Sequence, residues 1–294
     1  MEKFTSFRDK GTGISPFLPI PDPDSNKPLI KYIVKPLTFL LKLPFLLVST
    51  LSLLLISPLG FLFKPLLHLY LIAFFNLSQI ELLVDGVKKS NLSVIDSKRP
   101  QPDDIVFINF SSPLDSLILY ITSNSQSCDF YSIDSKGNLF IVGSPLDCSR
   151  FALTAPSKRS PVPLKINRKG KVAFVIVEGT TTNNRSIMRF PERFNLREFV
   201  QVNRLGHVFK TLSIKVYPGA FFTTPLPESV AKFVYDTVSD FRSDLKYRMK
   251  VFEMGDSEGI SEHRIRTDLS NYGKMKLLGE HLDLEKKGEF IASY

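Results

Sequence analysis

The chain has no tryptophan and only two cysteines and four histidines among 294 residues. Two thiols, Cys128 and Cys148, are too few for a disulfide framework, and no secretory signal pattern accompanies them. They read as free thiols facing a reducing compartment. They keep no metal-like spacing with the histidines, so no metal site is expected. No zinc finger, helix-turn-helix or RNP-like run is present, and the aromatics do not alternate with basic residues in stacking fashion. Nucleic acid is therefore excluded as a partner. Internal repeats are absent as well.

What remains is rich in phenylalanine, with 25 residues of it, and carries a net charge of +9. That charge is uneven. Residues 150–217 hold 14 Lys/Arg against 3 Asp/Glu, whereas residues 218–294 hold 11 against 13. A local basic excess suits an anionic membrane surface or a phosphate-bearing substrate. The length is enough for one domain of about 200 residues plus an appendage.

Residues 1–28 are polar and punctuated by Gly11, Gly13 and the run Pro21-Asp22-Pro23-Asp24, which predicts a loop or a loosely packed arm. Residues 29–80 form an apolar block. Its stretch from Leu43 to Phe63 has no formal charge and is bounded by Lys42 and Lys64. As a helix such a stretch rises about 30 Å, enough for a bilayer core. Ser57-Pro58-Leu59-Gly60 interrupts it. Two spans, one span plus a surface helix, or a re-entrant hairpin all fit, and basic residues on both flanks favour two cytosolic ends.

Residues 81–256 read as an α/β domain, with strands at 81–85, 105–109, 139–142, 172–177, 211–217 and 247–253. Helices are expected at 114–123 and 228–247. Residues 257–294 carry amphipathic helices, at 258–269 and 282–292. Strands alternating with helices predict a mixed or mostly parallel sheet.

Two strand ends carry possible chemistry. After the strand at 105–109 comes Ser111-Ser112-Pro113-Leu114-Asp115, which places Asp115 at a helix N-terminus, where open α/β sheets put ligands. The plainer reading is that Ser111, Ser112 or Asp115 caps that helix. After the strand at 172–177 comes Glu178-Gly179-Thr180-Thr181-Thr182. Gly179 permits close backbone approach, and the threonines with Arg185 and Arg189 suit a phosphate.

Together, Asn109-Phe110-Ser111-Ser112-Pro113-Leu114-Asp115 and Val177–Arg185 resemble the first two blocks of the glycerolipid (lysophospholipid) acyltransferase superfamily. The opening Met1–Pro19, the core Ser112–Asp115 and the closing Leu282–Phe290 are similar, more narrowly, to the lysophosphatidic acid:oleoyl-CoA acyltransferases of budding yeasts. The resemblance implies a glycerolipid acyltransferase-like α/β fold, a mixed sheet flanked by helices, preceded by a membrane-embedded helical segment. It implies transfer of a long-chain acyl group, oleoyl by the match, from acyl-CoA to lysophosphatidic acid, giving phosphatidic acid. Acyl-CoA would be a co-substrate and no cofactor would be tightly bound. The expected location is the endoplasmic reticulum membrane and lipid droplet, with the α/β domain facing the cytosol.

In the usual site of that superfamily a histidine, four intervening residues and an aspartate are used: the histidine takes the proton of the attacking hydroxyl, and the aspartate orients it. The resemblance places the aspartate at Asp115 and the phosphate-holding block at Glu178, Gly179 and Thr180, with Ser111, Ser112, Thr181, Arg185 and Arg189 around them. The histidine position is Phe110, which accepts no proton. Three routes stay open: His207 folds back as a substitute base, Asp115 acts through Ser111, Ser112 or a water, or the chain binds lipid without turnover as a membrane scaffold. Lys215–Pro227 matches a downstream pocket-shaping block loosely. Asn-x-Ser tripeptides at Asn76, Asn91, Asn109 and Asn184 fit a cytosolic face better than a glycosylated one.

Overall fold

The computed structural model describes every residue except 1, 23–26, 58–59, 156–159, 167–168, 242–243, 256–258 and 280. The expected break at Ser57–Gly60 and part of the Pro-Asp-Pro-Asp run fall partly outside the described residues. In chain order the elements are α1 (Lys35–Ile56), α2 (Gly60–Phe75), β1 (Leu77–Val84), α3 (Leu92–Ser97), β2 (Asp104–Ile108), α4 (Asp115–Thr122), β3 (Cys128–Ile133), β4 (Leu139–Gly143), α5 (Pro145–Phe151), β5 (Val172–Ile176), β6 (Ser186–Ile187), α6 (Leu196–Asn203), β7 (Val208–Tyr217), α7 (Gly219–Phe222), α8 (Val230–Val238), β8 (Leu245–Glu253), α9 (Glu262–Gly273), β9 (Lys276–Leu277) and α10 (Leu284–Ser293). A π-helical turn at Ile30–Val34 leads into α1.

Seven strands form one mixed sheet in the order β1-β8-β7-β2-β5-β3-β4. Its centre, β7-β2-β5-β3, is parallel. β8 and β4 run antiparallel to that centre, and β1 follows β8. The central strands are buried on both faces, so β2 and β5 read as unbroken apolar runs rather than alternations.

The side chains still divide by the period of two. Val106 and Ile108 join the core beneath the N-terminal helices, while Ile105 and Phe107 join the core on the opposite face. α2, α4 and α8 cover the first face, with Leu71, Ile118 and Val238 fully buried there. α9 closes the second with Ile265 and Leu269.

A third cluster differs from the sequence expectation. The N-terminal segment is not loosely packed: Phe7 and Phe17 bury against Phe290 of α10, with ring centroids 5.0 and 5.8 Å away. Three phenylalanines far apart in sequence form this small core, and no local pattern in a Gly- and Pro-rich segment reveals it. The helix expected over 228–247 is shorter than its apolar spacing suggested. It ends at Val238, and Leu245 already begins β8.

Candidate functional site

β2 delivers the chain to the carboxyl edge of the sheet. There the Asn109 side-chain amide pairs with the backbone of Ile214 in both directions, at 2.9 and 2.8 Å, and pins the end of β2 to β7. The following turn is built around Asp115. Its Oδ2 accepts hydrogen bonds from the backbone N–H groups of Ser111 (2.8 Å) and Ser112 (2.9 Å) and from the Ser111 hydroxyl (3.3 Å). Its Oδ1 accepts from the Tyr247 hydroxyl at 2.9 Å. The carboxyl group is fully buried, and burial pushes it up to about 6 despite four donors that pull the other way. Tyr247 is raised well above an ordinary phenol, by burial first and by the Asp115 charge second.

β5 delivers the second motif to the same edge. Glu178 is fully buried; its Oε1 accepts from the Met188 N–H at 2.8 Å and its Oε2 from the Phe110 N–H at 3.4 Å. Burial raises this carboxyl to about 7. Gly179 has φ +70°, and a Cβ there would lie 2.5 Å from the Ile133 carbonyl oxygen. Gly179→Ala is therefore expected to cost at least about 1–3 kcal/mol through the left-handed backbone alone. Thermal or denaturant unfolding checks this, and an unchanged midpoint would contradict the turn geometry.

The next residues are held by the C-terminal helix. Lys287 of α10 is buried and donates to Thr180 Oγ1 (2.7 Å), the Thr181 carbonyl (2.6 Å) and Thr181 Oγ1 (3.1 Å). Burial lowers its ammonium to about 7, with the Glu178 charge opposing. Thr224 ties the two motifs together, its N–H donating to the Ser111 carbonyl (3.0 Å) and its carbonyl accepting from Thr181 Oγ1 (2.6 Å). Asn183 in turn donates from Nδ2 to the carbonyls of Ser15 and Leu18, so the N-terminal segment lies over this loop.

The structure thus brings Ser111, Ser112, Asp115, Glu178, Gly179, Thr180 and Thr181 to one buried edge. Arg185 is exposed beyond it and Arg189 is partly covered. Arg266 of α9 donates to the carbonyls of Met188 (3.0 Å) and Leu278 (2.7 Å), holding the strand-like segment on which Glu178 leans. Phe110 is fully buried and stacks on Phe151, with centroids 6.3 Å apart.

His207 requires a correction. It is not near Asp115 but at the opposite edge of the sheet. β2 and β7 run parallel, with Asp104 opposite Val208, so a residue just before β7 sits beside the start of β2, whereas Asp115 follows its end. The five residues of β2 separate the two edges by about 17 Å. Both ring nitrogens are also engaged there, Nδ1 with the Asp103 carbonyl at 2.7 Å and Nε2 with the Ile166 carbonyl at 3.0 Å. His263 and His281 are exposed, and His68 lies in α2. Among the described residues no group of three or more His, Cys, Asp or Glu could hold a metal ion.

Two residues of the site escaped the sequence reading. Tyr247 lay in a recognised alternating strand, but its partner came only from the β7–β8 pairing, which sets Tyr247 against Val216 at the site's edge. Lys287 sits between Leu284 and Phe290 on the buried side of α10. A lysine on an apolar face at that spacing was the available signal.

An apolar cavity of about 420 Å³ adjoins the Asp115 turn. Pro113, Leu114 and Leu117 form one wall, Leu53, Phe63 and Leu67 of the N-terminal helices another, and Leu153 and Phe233 the floor. A second cavity, of about 570 Å³, includes Thr223 and Thr224 together with Lys35 and Lys232. Thr224, which bridges the two motifs, therefore also faces this more polar opening.

The arrangement can be set against known proteins. A Schizosaccharomyces pombe protein named "Putative lysophosphatidic acid:oleoyl-CoA acyltransferase" is 32% identical over 261 residues, covering 81% of each chain. The chain belongs to the fungal lysophosphatidic acid:oleoyl-CoA acyltransferase family. Lysophosphatidic acid:oleoyl-CoA acyltransferase 1 of Saccharomyces cerevisiae is 27% identical over 320 aligned positions, covering 100% of this chain and 97% of its own. Neither a family model nor a solved structure matches the chain. The segment Ile30–Ile56, 27 residues long, is apolar enough to cross a membrane by length and composition. With the family membership it marks this acyltransferase-family chain as membrane-associated.

Proposed function

We propose that the protein transfers a long-chain acyl group, oleoyl by its family, from acyl-CoA to lysophosphatidic acid, giving phosphatidic acid. The observation that carries this reading is the apolar cavity ending on the Asp115 turn. An acyl chain lying in it would bring its thioester toward the one buried carboxyl group of that turn. The acceptor hydroxyl oxygen attacks the thioester carbonyl, the new C–O bond forms, the C–S bond breaks, and the hydroxyl proton ends on the departing CoA sulfur.

With Phe110 where the family places a histidine, the group left to take that proton is Asp115, directly or through the Ser111 hydroxyl. A carboxyl raised to about 6 is a better base near neutral pH than an ordinary aspartate. The Thr180–Thr182 loop, with Arg185 and Arg189 beyond it, would receive the acceptor phosphate. The site's place at the edge facing the N-terminal helices supports substrates drawn from the endoplasmic reticulum or lipid-droplet surface, with the α/β domain on the cytosolic side.

A second reading is favoured by one observation: Asp115 already has donors on both oxygens, and Phe110 is sealed against Phe151. On that reading the chain binds acyl lipids and acts as a membrane scaffold. The cavity itself is tested by Val230→Trp, because Val230 lines it yet is 52% exposed, so the fold tolerates the change. Transfer from long-chain acyl-CoA is expected to fall relative to short-chain acyl-CoA. An unchanged chain-length profile counts against the cavity as the acyl site.

A further inference from the structure

β8 presents Leu245, Tyr247, Met249 and Val251 to the core beneath the N-terminal helices, and all four are fully buried. Leucine, methionine and valine need only fill space there. A buried phenol must also find a partner for its hydroxyl, so packing alone would be met by phenylalanine. Tyr247 is held on both sides, opposite Val216 of β7 and Ile80 of β1. From this fixed place its hydroxyl donates to Asp115 Oδ1 at 2.9 Å.

The two oxygens of Asp115 are not equivalent. Oδ2 takes the Ser111 and Ser112 N–H groups and the Ser111 hydroxyl, three donors for one atom. Among the described residues Oδ1 has Tyr247 alone. Each carboxylate oxygen offers about two lone pairs, so Oδ2 is saturated and Oδ1 keeps one free. A proton taken by Asp115 therefore arrives at Oδ1, beside the Tyr247 hydroxyl.

Of the ionisable groups at this edge, only Tyr247 bonds to Asp115. Glu178 is held by the N–H groups of Phe110 and Met188, and Lys287 by Thr180 and Thr181.

We infer that Tyr247 is the positioning residue of this site: its hydroxyl aims Asp115 Oδ1 and favours the ionised, proton-accepting carboxylate. The inference rests on the reading of Asp115 as the base. The proton leaves the acceptor hydroxyl for Oδ1 and passes from there to the departing CoA sulfur. Tyr247 does not take it, because burial first and the Asp115 charge second keep the phenol protonated. A neutral donor on a carboxylate favours the charged form, so this bond opposes the burial that raises Asp115. In the usual site of the superfamily the aspartate orients a histidine. Here Phe110 stands in that place, and the aspartate is itself oriented, by a strand residue 132 positions further on.

Tyr247→Phe removes the hydroxyl and keeps the ring. The test follows kcat against pH for the purified full-length protein, with oleoyl-CoA and lysophosphatidic acid in vesicles. The midpoint is expected to move up from about 6 by about one to two pH units, the size of a lost hydrogen bond to a charged group. Well below both midpoints the rate then falls about 10–100-fold, and above both it returns toward the wild-type plateau. KM for lysophosphatidic acid is expected to stay unchanged, because the fully buried Tyr247 meets Asp115 rather than substrate. Fluorotyrosine placed at position 247 is the reverse test, and it keeps both ring and hydroxyl should Tyr247→Phe fail to fold. Its more acidic phenol donates more strongly, so the midpoint moves below that of wild type. Unshifted midpoints, or shifts of the same sign, overturn the positioning role and leave Asp115 as the base. No turnover by wild type, or a rate that does not rise through about pH 6, overturns the reading of Asp115 and this inference with it.

Discussion

Lys287→Met is expected to destabilise the protein by about 1–3 kcal/mol or more, because it strips the donor from buried threonine oxygens. The side chain it replaces comes from the last helix and ends among Thr180 and Thr181, with all three ammonium hydrogens directed at oxygen. Methionine matches the stem and supplies no donor. Two buried threonine residues lose their donor, and Glu178, itself fully buried, loses one of the two opposing charges that act on it and keeps that of Arg266. The companion variant separates these effects. Glu178→Gln keeps an acceptor for the Met188 N–H while removing the charge, so the Lys287→Met/Glu178→Gln double variant should recover part of the loss. A coupling of about 1–3 kcal/mol in the double-mutant cycle is expected. Additive variants, or a single Lys287→Met variant within about 0.5 kcal/mol of wild type, would show that α10 does not hold the loop.

Because α10 and the N-terminal segment share one small core, both chain ends act on the same loop. Phe290 touches Phe7 and Phe17, and Asn183 reaches Ser15 and Leu18. This explains physically why the similarity in sequence extended to Met1–Pro19 and Leu282–Phe290. Those segments carry no recognisable chemistry, but they enclose the Glu178–Thr182 turn.

The parts of the fold that were legible are those with local causes. Ile105–Asn109 and Val172–Val177 are unbroken apolar runs bounded by turn residues, and both became central parallel strands. Asp115 and Glu178 could be placed at one edge because each follows a parallel strand. β3 is not legible locally, since Cys128-Asp129-Phe130-Tyr131-Ser132-Ile133 mixes polar with apolar residues and is buried through its place between β5 and β4. α8 was read too long because the apolar spacing continues to Phe241, which is exposed, past the true end at Val238. Residue order puts His207 just before a strand but not at a particular sheet edge; the parallel β2–β7 register sets it beside the start of β2, away from Asp115. The N-terminal block was read from its hydropathy, which reports only that its outer side is apolar. That its inner stripe lies on the domain depends on contacts with residues nearly 200 positions away, such as Lys42 with Val238.

Asp115→Asn is expected to lower acyl transfer by about 10²–10⁴-fold, the usual cost of losing a positioned base. The fold should survive, because the asparagine carbonyl still accepts from the Ser111 and Ser112 N–H groups and its amide can donate to Tyr247. The wild-type rate should rise with pH through about 6, as the carboxyl group gives up its proton, and then level off. Stability should move in the opposite sense. The folded carboxyl lies at about 6 and the unfolded one near 3.8, so the folded chain holds the proton to higher pH. The contribution of this group to stability is therefore greatest below about 3.8 and falls as pH rises through about 6, by an amount on the order of 3 kcal/mol. The difference between wild type and Asp115→Asn in unfolding midpoint, followed from pH 4 to pH 7, isolates this slope from other carboxylates.

The most direct measurement is phosphatidic acid formation by the purified full-length protein, given lysophosphatidic acid and oleoyl-CoA in vesicles, beside the Asp115→Asn variant. Turnover by wild type, rising through about pH 6 and lost in the variant, is the result expected of a chain in which Asp115 stands in for the histidine absent at Phe110. Equal rates in the two proteins, or none in either while acyl lipid still binds, would contradict it.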